Sequence, residues 1–236
     1  MKFKRLFLFL FLFVFFFVVG CDQEKKDVEN IEKLLSQYQE ETDVDISYEY
    51  VMSLNGETTT IAGTIIVKKV GEEYHVYMEM MEGIVSIKLY VIGNYICMLD
   101  GDDVFVIEGE GFDYDEEVPI PQFDFDDFEY EYQKTEEDGL IIHSFDIGDD
   151  AILAYLDEFI SEYDDNTEIQ MNLEIIVDKE KEDLKRLNMY ITATYEEITA
   201  ELEMFITINN SGKDVKLNVP ENVLEAIDDY IESQQG

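Results

Sequence analysis

Two rhythms of apolar residues divide the chain. From about Asp27 to Glu40 they fall at i, i+3, i+4 spacing (Val28, Ile31, Leu34, Leu35, Tyr38), which gives a helix one sticky stripe. After Asp43 the period drops to two. Ile46, Tyr48, Tyr50, Met52 and Leu54 alternate with polar Ser47, Glu49 and Ser53, as on a strand with one buried face. Asn55-Gly56 supplies the positive φ angles of a tight hairpin. Further turns at Gly71-Glu72, Glu82-Gly83, Gly93-Asn94 and Asp100–Asp103 separate strands over about Thr58–Val70, Tyr74–Met81, Ile84–Ile92, Tyr95–Leu99 and Val104–Glu108. Strand, short turn, strand is an antiparallel meander.

The middle breaks the rhythm. Between Glu108 and Asp138 acidic and aromatic residues interleave, as in Phe123–Tyr132, and Pro119 and Pro121 forbid a central strand at their positions. An irregular connection ending in an edge strand fits there, followed by a strand over Gly139–Asp146. A second helix is predicted over Asp149–Tyr163, with Ile152, Leu153, Leu156, Phe159 and Ile160 on one side and an aspartate cap. Alternation resumes over Thr167–Asp178, Leu184–Tyr195, Ile198–Asn209 and Val215–Val219. Pro220 then opens a last helix whose Val223, Leu224 and Ile227 share a face. About ten strands without a βαβ rhythm predict an α+β, mainly β domain. Its expected form is a single strongly curved antiparallel sheet, an unclosed half-barrel, with helices packed on the concave side.

The first residues obey neither rhythm. Lys2, Lys4 and Arg5 precede an unbroken apolar run from Leu6 to Val19, the layout of an export signal. A helix over that run rises about 21 Å, short of the roughly 30 Å hydrocarbon core, so a permanent span is the weaker reading. Val18, Val19, Gly20 and Cys21 look like a lipobox: a branched apolar residue, two tolerated ones, then the thiol that receives diacylglycerol. On this reading residues 1–20 are a lipoprotein signal peptide, 21–27 a lipidated tether and 28–236 one domain. Several acyl chains at about 0.8 kcal/mol per methylene hold such a protein to a membrane without a spanning helix. The expected location is the extracytoplasmic face of the cell membrane, with the membrane itself as first partner.

Charge narrows the partners. With 56 Asp+Glu against 16 Lys+Arg the formal net charge is −40, and loss of the basic leader makes the exported part more acidic still. Such a field repels nucleic-acid phosphates, so no nucleic-acid partner is expected. It solubilises a monomer, and it leaves weak divalent-cation binding as a secondary expectation. Cys97 is the only thiol besides Cys21. Set among Tyr95, Ile96, Met98 and Leu99, it reads as a small buried hydrophobe.

The lipobox, the amphipathic first helix, the Tyr-rich strand Ser47–Leu54 with its hairpins, and the ending "IIVDKEKEDLKRLNMYITATY" then "VKLNVPENV" together resemble lipoproteins of the LolA/LppX-like superfamily. That resemblance implies an unclosed barrel with helices on its open side and acyl chains held between sheet and helices. The implied hydrophobic-ligand pocket is formed by Tyr48, Tyr50 and Met52 with Met78, Met80, Ile87 and Leu89. The alternative is a cell-surface structural or protein-interaction module whose Tyr and Met side chains fill the interior. The acidic-aromatic middle has no counterpart in the family pattern.

Enzyme chemistry finds little purchase. His75 and His143 have no Cys or His at metal-ligand spacing, and Ser144 falls on the opposite face of a strand from His143. No nucleophile elbow, phosphate loop or zinc motif occurs. No catalytic residue, metal or cofactor is therefore nominated. Asp100–Asp103 and Asp124–Glu131 offer carboxylates to calcium, but neither run matches an EF-hand loop, and solvated charge is the simpler reading.

Overall fold

The computed structural model describes residues 24–38, 43–109, 125, 129–148, 168–195 and 198–235. A helix, α1, spans 24–38. Six strands follow as a meander: β1 (Val44–Leu54), β2 (Glu57–Val70), β3 (Glu73–Glu82), β4 (Val85–Ile92), β5 (Tyr95–Asp100) and β6 (Asp103–Glu108). After the middle segment come β7 (Tyr130–Glu137), β8 (Leu140–Ile147), β9 (Glu168–Asp178), β10 (Leu184–Tyr195) and β11 (Ile198–Ser211). A 3-10 turn (Gly212–Asp214) leads to the final helix, α2 (Glu221–Gln235). The predicted helix Asp149–Tyr163 lies outside the described residues.

All eleven strands form one antiparallel sheet in the order β6-β5-β4-β3-β2-β1-β11-β10-β9-β8-β7. Two meanders are thus joined through β1 and β11, and among the described residues β6 and β7 stand at the two edges. The sheet is the unclosed half-barrel that the alternation predicted. Its register follows from two-residue turns: Asn55 at φ 50° and Gly56 at φ 83° close β1 on β2, so Leu54 stands opposite Glu57. The β1–β11 ladder carries a bulge beside Asp45, where the Asn209 and Asn210 side-chain amides both donate to the Asp45 carboxylate.

That register sorts side chains by parity. Val44, Ile46, Tyr48 and Tyr50 stand on one face with their partners Val67, Ile65, Gly63 and Ile61. Continued through β3 to β11, the same face takes Val76, Val91, Ile206, Leu187, Leu173, Ile175 and Phe145. This inner face receives α1, whose Val28, Ile31, Leu35 and Tyr38 are buried in the main core cluster. Each such side chain contributes about 1.5–3 kcal/mol when fully buried. Phe125 joins them from the acidic-aromatic segment: it is 2% exposed and stacks on Phe145 at 4.3 Å between centroids.

The helices do not share one side. Helix α2 lies on the outer face, where Val223 and Ile227 are buried with Tyr90 and Cys97 in a second cluster. The cause is in the strands it covers. β4 to β6 are apolar at both parities, as in Leu89-Tyr90-Val91-Ile92 and Val104-Phe105-Val106-Ile107, so both faces require cover. Burial also pushes the Cys97 thiol pKa up, as expected of a core thiol. Val215–Val219 is not a strand. Leu217 and Val219 instead pack into the cluster beneath α2, so their alternation serves a crossing segment rather than a ladder.

Phe145→Ala is expected to lower the unfolding free energy by about 3–5 kcal/mol, as for other fully buried aromatics. Urea denaturation measures this, and a loss below about 1 kcal/mol would contradict the central stack.

Candidate ligand-binding face

All seven residues nominated for a pocket stand on the inner face. Tyr48, Gly63, Met80 and Ile87 form one row across β1 to β4. Ile46, Ile65, Met78, Leu89, Met98 and Phe105 form the next, running on to β6. Tyr50 and Met52 lie farther along β1. Cover fades along the strands: Val76 and Val91 are buried, Met78 and Leu89 half-buried, and Met80 and Ile87 exposed at 40% and 38%. Tyr48 and Tyr50 are also half-buried, while Met52, Leu54, Met98 and Phe105 are exposed. The arrangement is a continuous apolar strip on the β1–β6 half of the inner face. Along the described residues α1 fills the other half.

Gly63 shapes this strip. The Tyr48 ring lies over it and carries the hydroxyl to 3.5 Å from the Glu79 carbonyl oxygen. A Cβ on Gly63 would fall 2.5 Å from that hydroxyl and 2.0 Å from the carbonyl oxygen. The missing side chain therefore creates the notch in which an aromatic ring covers a strand glycine. Tyr50 leans on Tyr48 with centroids 5.4 Å apart, and burial raises the pKa of both phenols.

A second constellation, not nominated from the sequence, sits where α1 meets β7 and β8. The Lys134 ammonium lies 3.0 Å from the Asp27 carboxylate, and the Tyr132 hydroxyl lies 2.8 Å from His143 Nδ1. Asp27 is the other hydrogen-bond partner of Tyr132, and its charge helps burial push the phenol upward. A carboxylate can only accept, so the phenol donates a hydrogen bond to Asp27 and accepts one from the imidazole Nδ1–H. Burial first, then the Lys134 charge, pushes the His143 pKa down to about 4, against the opposing pull of Asp27. The imidazole is therefore neutral at physiological pH.

Two depressions flank these features. One of about 410 Å³ borders this constellation between α1 and β7–β9, lined by Asp27, Asn30, Lys33, Lys134 and His143 among others. The other, about 550 Å³, opens on the outer face around Glu49, Thr64, Arg186 and Phe205. The first lies apart from the exposed strip, and the second reaches it only at Tyr48 and Gly63. Among the described residues no group of three His, Cys, Asp or Glu is placed to hold a metal, and no helix is long and apolar enough to cross a membrane. Val18, Val19, Gly20 and Cys21 lie outside the described residues.

No protein-family model matches the chain, and no curated protein matches it. Solved structures do. A DUF1329 family protein from Desulfovibrio piger is 13% identical, with a TM-score of 0.29, covering 82% of this chain and 94% of that one. A LolA superfamily protein from Nitrosomonas europaea is 8% identical, with a TM-score of 0.27 and coverage of 79% and 96%. An outer membrane lipoprotein-sorting protein domain from Vibrio parahaemolyticus is 9% identical, with a TM-score of 0.24 and coverage of 80% and 93%. The fold itself rests on the strand pairing described above.

Two outcomes follow from this geometry. Gly63→Ala is expected to cost about 1–3 kcal/mol and to move the Tyr48 ring, which tyrosine ring resonances would report; unchanged resonances would contradict the close approach. For His143, the unfolded chain takes up a proton near pH 6.5, whereas the folded imidazole waits until about 4. Stability owed to the neutral ring is therefore complete above about pH 6.5 and lost as pH falls toward 4. The difference in unfolding free energy between wild type and His143→Gln should drift over that window, and a constant difference would rule out a buried neutral imidazole.

Proposed function

We propose that this chain is a non-enzymatic lipoprotein, anchored through diacylglycerol on Cys21 at the extracytoplasmic face of the membrane, that holds a hydrophobic acyl ligand on its inner face. The observation that carries the ligand reading is the uncovered strip around Tyr50, Met52, Met80 and Ile87. A soluble domain seldom leaves a large contiguous apolar patch exposed unless something binds there. An acyl chain suits it better than a compact polar ligand, because the strip is apolar, extended along the strands, and offers few polar groups beyond the phenols of Tyr48 and Tyr50. The leader supports the anchor: a basic start, an apolar run too short to span, and a cysteine directly after Gly20.

The test uses cells producing the full chain. A clickable fatty acid should label the protein through Cys21, and Cys21→Ser should abolish that label. A diazirine fatty acid should crosslink to β1, β3 and β4, and Met80→Asp with Ile87→Asp should reduce those crosslinks at least tenfold. Crosslinks spread evenly over both faces, or unaffected by the paired aspartates, would overturn the ligand reading. They would favour an interaction module in its place.

A further inference from the structure

The two edges of the open sheet are built differently. At β7 the edge is charged: Glu131, Lys134, Glu136 and Glu137 line it, Lys134 pairs with Asp27, and Lys179 of the β9–β10 turn pairs with Glu136. Charged side chains of this kind discourage further strand pairing. β6 has no such protection. Its centre is Val104-Phe105-Val106-Ile107, four apolar residues in succession, without proline or lysine. Among the described residues β6 pairs only with β5.

The ladder fixes which backbone groups are free. Gly109 N–H donates to the Asn94 carbonyl at 2.7 Å. Hydrogen-bonded and non-hydrogen-bonded pairs alternate along an antiparallel ladder, so Asp103, Phe105 and Ile107 turn their amides toward β5. Val104, Val106 and Glu108 therefore turn theirs outward along the free edge. Beside that edge, on the inner face, Met98, Phe105 and Ile107 are all about half exposed or more, at 49%, 57% and 57%. On the outer face Val104 and Val106 are packed under α2, which stiffens the strand from behind. At the turn end stand exposed Asp100, Asp102 and Asp103, and at the other end exposed Glu108.

We infer that β6 is a docking edge for an extended segment of a partner protein, added as an antiparallel twelfth strand. Main-chain hydrogen bonds to Val104, Val106 and Glu108 would give the affinity, as in other strand-addition complexes. Alternate apolar side chains of the incoming strand lie on the shelf of Met98, Phe105 and Ile107. Basic residues at its two ends meet Asp100, Asp102 and Asp103 on one side and Glu108 on the other. Charge complementarity selects this occupant over a second copy of the chain. Two copies at a formal net charge of −40 each repel one another, whereas a lysine-flanked strand is attracted to both ends of β6. The shelf shares Met98 and Phe105 with the inner-face strip, whereas the main-chain groups of the β6 edge belong to the docking reading alone.

A fluorescent nine-residue peptide that alternates valine and threonine between lysine pairs tests the inference, with full-length protein held in nanodiscs. Saturable binding is expected. N-methylation of the peptide amides on one edge should weaken it at least tenfold, and N-methylation on the other edge should leave it within twofold. These peptides carry the same charge, so the contrast isolates strand pairing from attraction to an acidic surface. Phe105→Lys, at an exposed side chain, should weaken binding at least tenfold with an unchanged circular dichroism spectrum. If that variant misfolds, the N-methyl contrast still decides. Equal weakening by the two N-methyl peptides, or none, would overturn the inference. So would β6-dependent self-association of the protein that excludes the peptide.

Discussion

One constraint underlies the fold: among the described residues an antiparallel sheet of eleven strands has two faces and no second sheet to bury either. Period-two alternation directs most apolar side chains to the inner face, and hairpin turns of two residues hold that parity strand after strand. A slip of one residue in any register would turn a strand's apolar set to solvent. The bulge at Asp45 is the kind of place where parity could be lost, and it is tied down by two asparagine amides on one carboxylate. Everything else in the fold answers the question of what covers which part of that sheet.

The cover is supplied unevenly. Helix α1 and Phe125 bury the inner face over β8 to β11, where Phe145, Leu173, Ile175 and Leu187 are almost completely enclosed. Helix α2 goes to the outer face of β5 and β6, the region that is apolar at both parities. On the inner face of β1 to β6 burial is complete at Val44, Ile46, Val67 and Val76 and gives way to exposure at Met52, Met80, Ile87 and Phe105. The apolar strip and the β6 edge thus share one end of the sheet.

Much of this was legible in the residues. The strands, their turns and the parity of Tyr48, Tyr50, Met52, Met78, Met80, Ile87 and Leu89 follow from alternation and from pairs such as Asn55-Gly56. Local pattern could not say which face α2 would choose, because a strand apolar on both sides carries no preference. Nor could it separate Val215–Val219 from a strand, since alternation only reports that every second side chain is buried. The polar group at α1 was invisible for another reason: Asp27 and Lys134 are 107 residues apart, and only the fold brings them together. Phe125, one of many aromatics in an acidic run, gave no sign of being the one that enters the core.

The start of α1 has a mechanical consequence. The sequence suggested a polar tether reaching to residue 27, but the helix is under way at 24, and Asp27 and Val28 are already packed. Only Asp22 and Gln23 lie between Cys21 and Glu24, so the two are at most about 10 Å apart at full stretch. Were Cys21 acylated as proposed, a domain leashed there would ride close against the lipid surface, hinged rather than swinging on a long string.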